Sequence, residues 1–280
     1  MPDPRQIHQE FRARPADGTV NLAGYDAGST PLVDSKSTAK DQLKSELRDR
    51  LFHAHELLFA SETRQVLLVL QGLDCSGKNG TIKHVITAVN PVGVRTASFT
   101  KPTDEELEHD FLWRHRRALP ERGRLGVFDR SHYEDVIVPM ATRSLQPDEI
   151  AGRIADINAF ERELADDGTV VVKCMLHISF DEQRERFLRR LRRDDKRWKF
   201  SPTDMDTRRQ WNEFQAAYGD AIGQTCTDHA PWFIIPSDHK WYRNWAIASL
   251  LVETLESMGL AYPDPDLDLD DLRARLQPPN

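Results

Sequence analysis

The sequence is poor in cysteine, has no long hydrophobic run and carries no excess of positive charge. Its three cysteines, Cys75, Cys174 and Cys226, are widely spaced and form no C-x-x-C motif. This excludes a disulfide framework and a zinc knuckle. No apolar run approaches the roughly 18 residues of a membrane span, and the N-terminus lacks the apolar core of a secretory signal. We therefore expect a cytoplasmic protein without a membrane partner.

The charge balance also argues against a general nucleic-acid coat. The chain has 38 Lys and Arg residues against 45 Asp and Glu residues, a formal net charge of −7. A protein that coats nucleic acid should be basic, so we expect no nucleic-acid partner. The 280 residues are enough for one large α/β domain.

Five short apolar segments are predicted to be β-strands, with helical patterns between them. The first, residues 66–70, is an unbroken apolar run of the kind found in strands buried on both faces of a parallel sheet. The other four are residues 94–99, 125–128, 170–176 and 232–235. This alternation predicts βαβ units, and so a three-layer α/β/α domain with a parallel five-stranded sheet.

The ends of the chain differ from this domain in composition. Residues 1–35 are rich in Pro, Gly, Asp and Ser with little periodicity, and are predicted to be an irregular arm. Residues 37–59 show leucines at helical spacing and are predicted to form one amphipathic helix. Residues 263–280 alternate Asp with Pro and Leu, and are predicted to be an acidic flexible tail. The catalytic domain is expected to span residues 36–262.

A phosphate-binding loop directly follows the first predicted strand. Residues 72–78 read GLDCSGK, which is G-x-x-x-x-G-K between a strand and a helix. Glycines let backbone N–H groups crowd around phosphate oxygens, the helix dipole adds partial positive charge, and Lys78 adds a full one. The alternative interpretation of these residues is a glycine turn beside a surface lysine, without phosphate binding. The candidate substrate-binding residues of this segment are Gly72, Cys75, Ser76, Gly77, Asn79, Gly80 and Thr81.

Two acidic residues are candidate ligands for Mg²⁺, with Mn²⁺ as a substitute. The residue after Lys78 is normally a Ser or Thr that binds the metal, but here it is Asn79, so other oxygen ligands are needed. Asp74 lies inside the loop, and Asp129 ends the third predicted strand, with Arg130 next to it. The alternatives are an Asx turn at Asp74 and a helix N-cap at Asp129.

A strongly basic segment interrupts the acidic chain. Residues 184–199 contain nine Lys and Arg against three acids, and Arg186, Arg190 and Arg193 share one helix face. Like charges at helical spacing repel, so a polyanion is expected to offset them. A solvated face or an RNA contact is the alternative. Lys240 and Arg243 also indicate a nearby anion, because cations are disfavoured at the start of a helix.

Taken together, five segments resemble the type-2 polyphosphate kinases. They are residues 72–85, residues 101–115, residues 128–136, residues 183–204 apart from 192–195, and residues 231–245. The resemblance extends from about residue 40 to residue 262. It implies a thymidylate-kinase-like P-loop fold with a helical lid at about residues 184–211. The His-Tyr-Glu sequence at 132–134 is most similar to the branch that phosphorylates both AMP and ADP.

The resemblance implies reversible, magnesium-dependent phosphoryl transfer between inorganic polyphosphate and adenine nucleotides, with guanine nucleotides as a second substrate class. It also implies a homo-oligomer, a dimer or a tetramer. Asp74 and Asp129 would hold the metal and the nucleotide phosphates. Lys78 and Arg130 would stabilise the transferring phosphoryl group.

The resemblance implies roles for four further residues. Arg186 and Arg190 would close over the phosphoryl group as lid arginines. Lys83 would follow the polyphosphate chain, and Arg208, at a lid position, would also bind substrate. Two rival functions remain open at this point. One is an ATP-dependent nucleoside or nucleotide kinase of the same fold, and the other is a non-catalytic nucleotide- or RNA-binding module.

Overall fold

The computed structural model of the chain describes residues 4–276, and its centre is a five-stranded parallel sheet. The strands lie in the order β2-β3-β1-β4-β5 and pair in parallel throughout. The predicted fold class and all five predicted strands are confirmed. The strands are β1 (Gln65–Gln71), β2 (Val94–Ser98), β3 (Leu125–Asp129), β4 (Thr169–His177) and β5 (Trp232–Pro236).

Helices cover both faces of the sheet. Those before the lid are α1 (Pro4–Phe11), α2 (Lys36–Lys44), α3 (Glu46–Ser61), α4 (Lys78–His84), α5 (Asp104–Leu107), α6 (Trp113–Arg117), α7 (Glu134–Thr142) and α8 (Pro147–Asp166). The lid region and the C-terminal part contain α9 (Phe180–Arg192), α10 (Asp194–Arg197), α11 (Thr203–Arg209), α12 (Trp211–Thr225), α13 (Lys240–Ser257) and α14 (Leu269–Arg275).

Alternate residues of the central strand pack into two separate hydrophobic cores, one on each face of the sheet. Val66 and Leu68 of β1 pack in a cluster with residues of α1, α2, α3 and α13. Leu67 and Val69 pack in a second cluster with residues of α7, α8 and α12. All residues of β1 are buried, as expected for a central strand covered on both faces.

Two predictions for the N-terminal region are wrong. The helix predicted over residues 37–59 is interrupted at Ser45, which has φ −118° and ψ −98°, so two helices form. The segment predicted to be irregular contains α1, and its Ile7 and Phe11 are buried in the core that includes α13. This helix is stabilised by tertiary packing, which the weak local pattern of the arm did not indicate.

The arm also covers the outer edge of the sheet. Arg12 forms an antiparallel bridge with Phe233 of β5, and the Ala13 N–H donates to the Trp232 carbonyl at 2.8 Å. Pairing of this kind protects an edge strand from other chains. At the other end, the segment predicted to be a flexible tail contains α14, whose N-terminus is capped by the Asp268 side chain. Residues 277–280 lie outside the described residues.

Two glycines of α12 let the arm approach this helix closely. The Val20 N–H donates to the Gly219 carbonyl at 3.0 Å. A methyl group at Gly223 would lie 2.3 Å from the Gly18 carbonyl oxygen. We expect Gly223→Ala to destabilise the protein by about 1–3 kcal/mol, because the arm must move away. Thermal unfolding, with limited proteolysis of the arm, measures the effect.

Gly152→Ala is the matched control for this substitution. Gly152 lies within α8, and no atom of the described part of the chain lies within 4 Å of a methyl group there. Alanine at this open helix position should stabilise the protein by about 0.5–1 kcal/mol relative to glycine. Equal unfolding midpoints for the two variants would contradict the close packing of the arm on α12.

Candidate active site

The phosphate loop and the end of β3 lie side by side at the carboxyl edge of the sheet. Leu70 of β1 is in register with Asp129 of β3, so the loop that follows β1 begins next to this carboxylate. Both segments line a cleft with a volume of about 1430 Å³. Crevices at the carboxyl ends of strands are where open α/β sheets bind ligands.

The loop has the backbone conformation that its glycines predict. Gly72 and Gly77 have φ +143° and +117°, and α4 begins at Lys78. The Lys78 ammonium donates to the Gly72 carbonyl. This contact uses one of its three donors. Cys75 adopts φ +67°, and burial raises the pKa of its thiol to about 11.

Asp74 and Arg130 form an ion pair across the cleft. Arg130 Nη2 lies 3.1 Å from Asp74 Oδ1, and both side chains are partly exposed. Burial opposes the charge on Arg130, but Glu134 and Asp74 raise its pKa, so the guanidinium stays charged. The Gln183 amide of α9 donates to the Asp74 carbonyl at 3.0 Å and holds the loop from the lid side.

Glu134, the first residue of α7, is a site residue that the sequence reasoning did not select. Burial raises its pKa, while nearby Arg130 and Lys78 lower it. It therefore stands in the same group of charges as the Asp74–Arg130 pair. The signal was present in the sequence, because Glu134 belongs to the His-Tyr-Glu segment that carried the family resemblance.

The cleft concentrates positive charge in a chain whose net charge is −7. Among the described residues that line it, sixteen are Lys or Arg, and only Asp74 and Asp129 are acidic. The basic side chains come from five parts of the chain: α2 and α3, the phosphate loop with α4, Arg130 after β3, the lid, and the start of α13. Lys83, predicted to follow a polyphosphate chain, is among them, and so are Lys36, Lys40 and Lys44 of α2, which were not predicted.

Arg243 of α13 lies directly against the phosphate loop. Its guanidinium donates to the Ser76 carbonyl at 3.2 Å and to Asn244 Oδ1 at 2.8 Å. Burial, followed by the nearby Arg186, lowers the pKa of Arg243 to about 9. No carboxylate within residues 4–276 forms an ion pair with it. An anion in the cleft would offset this charge, as Lys240 and Arg243 indicated in the sequence.

Arg186, predicted to be a lid arginine, lies between the phosphate loop and the end of β5. Its guanidinium makes five hydrogen bonds, one to Glu182 and four to carbonyl oxygens of the phosphate loop and of the segment after β5. A guanidinium has five N–H donors, so all are used. Arg186 therefore joins the loop to the end of β5, and could close over a phosphoryl group only by breaking these bonds.

Arg190 and Arg208 differ in their access to the cleft. Arg190 lines it, and donates to the Lys199 carbonyl at 3.0 Å. Arg208 does not line it, because its guanidinium stacks on Phe180 at 3.5 Å and donates to Gln183 Oε1. The predicted substrate-binding role of Arg208 is thus unsupported by its position.

Most of the other predicted site residues meet in this cleft. Those that line it are Asp74, Cys75, Gly77, Lys78, Asn79, Gly80, Lys83, Asp129, Arg130, Arg186 and Arg190. Gly72, Ser76 and Thr81 are buried around the loop and do not line the cleft. The catalytic and binding roles of all these residues stay predictions.

Asp74 and Asp129, the predicted metal ligands, both line the cleft. Within residues 4–276, no group of three or more His, Cys, Asp or Glu side chains is arranged to hold a metal ion. Mg²⁺ does not need such a cage, since it binds through one or two carboxylates together with waters and substrate phosphates. Asp74 and Asp129 are the residues that would hold it.

Comparison with known proteins decides the family. The family model described as polyphosphate kinase 2 matches residues 34–262. The chain belongs to the polyphosphate kinase 2 family. This confirms the resemblance inferred from the five sequence segments and the enzymatic class that it implied.

Individual members of the polyphosphate kinase 2 family are similar over almost the full chain. An AMP/ADP-polyphosphate phosphotransferase of Meiothermus ruber is 44% identical, with 92% of this chain and 96% of the relative covered. An ADP-polyphosphate phosphotransferase of Rhodopseudomonas palustris is 38% identical, with 88% and 89% covered. The crystal structure of polyphosphate kinase 2 from Arthrobacter aurescens matches with a TM-score of 0.92 and 39% identity, covering 96% of each chain.

None of the helices between residues 4 and 276 has the length and apolar character that crossing a membrane requires.

Proposed function

We propose that this member of the polyphosphate kinase 2 family transfers phosphoryl groups reversibly between inorganic polyphosphate and AMP or ADP. The observation that carries the proposal is a cleft lined by the phosphate loop, the Asp74–Arg130 pair and many basic side chains. The similar Meiothermus ruber protein, named for AMP, ADP and polyphosphate, supports this choice of substrates over ATP as donor.

The reaction needs positioning and charge neutralisation more than proton transfer. A terminal phosphate oxygen of the nucleotide forms a bond to the end phosphorus of polyphosphate, and the bond from that phosphorus to its bridging oxygen breaks. The attacking oxygen is already ionised, so no strong general base is required. The loop N–H groups and Lys78 bind the phosphoryl oxygens, and Arg130 offsets the charge that is shared during transfer.

Asp74 has two tasks in this proposal. It fixes the position of the Arg130 guanidinium by accepting a hydrogen bond from it. Together with Asp129 it would hold Mg²⁺. The bound ion would neutralise charge on the phosphate oxygens. Glu134 adds a further negative charge beside Arg130 and keeps that guanidinium charged.

Lys36, Lys40 and Lys44 of α2 are proposed to bind the distal part of the polyphosphate chain. They are exposed and lie at four-residue intervals, so they share one face of α2. An exposed ion pair contributes about 0.2–1 kcal/mol. Changing all three to alanine should therefore raise KM for long-chain polyphosphate about tenfold and change kcat less than about twofold. Initial-rate kinetics with donors of graded length, at two salt concentrations, measure both.

A charge-matched control separates this contact from the effect of net charge. Arg14, Arg162 and Arg209 are exposed and do not line the cleft. Their triple alanine variant should keep the wild-type KM. An equal rise in KM for both variants, or a rise that does not shrink with shorter donors, would contradict binding along α2.

The choice of acceptor is tested by offering AMP, ADP, GMP and GDP separately with polyphosphate and magnesium. We expect ADP and ATP from AMP, ATP from ADP, and slower conversion of the guanine nucleotides. A similar protein is named a GDP-polyphosphate phosphotransferase, so guanine acceptors belong in the test. Conversion of ADP with no conversion of AMP would overturn the proposed dual acceptor range.

The use of Mg²⁺ or Mn²⁺, a dimeric or tetrameric state, a cytoplasmic location and the absence of a nucleic-acid partner stay predictions. Omission of the metal from the transfer assay tests the requirement for Mg²⁺ or Mn²⁺. Sedimentation of the purified protein tests the oligomeric state.

A further inference from the structure

A fully buried polar network lies behind the turn that joins β3 to α7. Lys173 of β4 and Glu161 of α8 form an ion pair at 2.6 Å, and neither side chain is exposed. The Lys173 ammonium also donates to Tyr133 Oη at 2.9 Å and to the Thr225 carbonyl at 2.8 Å. The Tyr133 hydroxyl donates to Glu161 at 2.8 Å. The phenol of Tyr133 is thus hydrogen-bonded to residues of two elements, β4 and α8.

Stability alone does not account for this ion pair. Burial opposes the ionisation of Glu161, but Lys173 and His132 lower its pKa, and burial lowers the pKa of Lys173. Removing two charges from water is costly, and apolar replacements of a whole buried pair are often neutral or stabilising. We therefore expect the network to fix the positions of neighbouring residues.

Three buried residues after β3, Ser131 to Tyr133, separate two charged residues of the site. Ser131 is hydrogen-bonded to Gln71 of β1 at 3.1 Å, and Tyr133 enters the buried network. Arg130 directly precedes these anchors and Glu134 directly follows them, and the two charged residues interact with each other near Asp74.

Arg130 needs such anchors because its backbone is strained. It has φ +65°, a left-handed conformation that residues other than glycine adopt at a cost. Strain of this kind persists where the neighbouring structure enforces it. On one side the Arg130 N–H is bonded to the Leu70 carbonyl at 3.0 Å, and on the other the segment is held at Tyr133.

We propose that Glu161 and Lys173 are positioning residues, which act through Tyr133 to hold Arg130 and Glu134 in place for phosphoryl transfer. Neither residue touches the cleft. The inference rests on the proposed function, because it assigns the two residues a part in that reaction. It adds a requirement that lies outside the phosphate loop and the lid.

The first test is the double variant Glu161→Gln with Lys173→Met, which removes both charges and keeps the side-chain volume. We expect a thermal unfolding midpoint close to that of the wild type, a KM for polyphosphate within about twofold, and a kcat reduced tenfold or more, since small misplacements are costly. Amide hydrogen exchange of residues 129–136 should accelerate, while exchange in β1 should not change. Arg116→Met with Glu163→Gln, which removes an exposed pair at 2.7 Å, is the control and should have no effect.

Tyr133→Phe is the second variant, for use if the first does not fold. It keeps the ring and the Lys173–Glu161 pair, and it should lower kcat in the same way. Each variant is then combined with Arg130→Ala. In that background a positioning role predicts no further loss of kcat, whereas a general structural role predicts the same loss as in the wild type.

Unchanged kcat and exchange in both variants, or additive losses with Arg130→Ala, would overturn the inference. If the wild-type protein transfers no phosphoryl group, the proposed function fails instead. The exchange rate of residues 129–136 then decides whether the network holds the turn.

Discussion

Changing Asp74 and Asp129 together to asparagine is expected to reduce kcat for transfer from polyphosphate by about a thousandfold or more. Single groups that stabilise transition-state charge are commonly worth about 10²–10³ in kcat, and this variant removes both proposed metal ligands. It also removes the partner of Arg130, whose guanidinium lies 3.1 Å from Asp74. Asparagine keeps the side-chain size, so the fold should be retained. Product formation at saturating substrates measures the loss.

The control for this variant changes two exposed acids of α8, Asp156 and Asp166, to asparagine. It matches the change in net charge and should keep wild-type turnover. We also expect added Mg²⁺ not to restore the Asp74 and Asp129 variant. Turnover equal to that of the wild type would refute the proposed metal site.

Gly77→Ala is expected to lower activity at least a hundredfold and to destabilise the protein. A methyl group on Gly77 would lie 1.7 Å from Arg243 Nη1, and its φ of +117° is unfavourable for alanine. Arg243 is buried, so its guanidinium can move only by leaving the Ser76 carbonyl. The overpacking and the strained backbone should each cost about 1–3 kcal/mol. Thermal unfolding and kcat for polyphosphate measure the two effects.

Gly168→Ala separates backbone strain from the clash with Arg243. Gly168 has φ +86°, but the nearest atom to a methyl group there is 3.9 Å away. This control should lose about 1–2 kcal/mol of stability and no activity at permissive temperature. Equal loss of activity in the two variants would show that Arg243 does not constrain the loop.

The parallel sheet was predictable because its strands carry a strong local signal. The run Val66–Leu70 is apolar at every position, and such a run fits a strand covered on both faces. The arm was not predictable in the same way. Ile7 and Phe11 alone make a weak helical pattern, and α1 is stabilised by contacts with β5 and α13, more than 200 residues away in the chain. The interruption at Ser45 likewise breaks a periodicity that continues on both sides.

The centre of the candidate site was predictable from motifs, and its surroundings were not. Gly72–Lys78 and Asp129 each follow a strand that could be recognised, and parallel strands place their ends at one edge. For Arg186 the family resemblance implied a lid position, but no sequence pattern shows which backbone groups its side chain meets. The carbonyl oxygens that bind it come from residues 75, 76, 237 and 238.

The donor of the phosphoryl group is the most direct test of the account. The purified protein is incubated with magnesium and AMP, with either long-chain polyphosphate or ATP as the only donor, and the products are identified by phosphorus NMR. We expect ADP and then ATP to accumulate with polyphosphate while the polymer shortens. Phosphoryl transfer to AMP with ATP as donor but not with polyphosphate would contradict the account. So would binding of polyphosphate without any phosphoryl transfer.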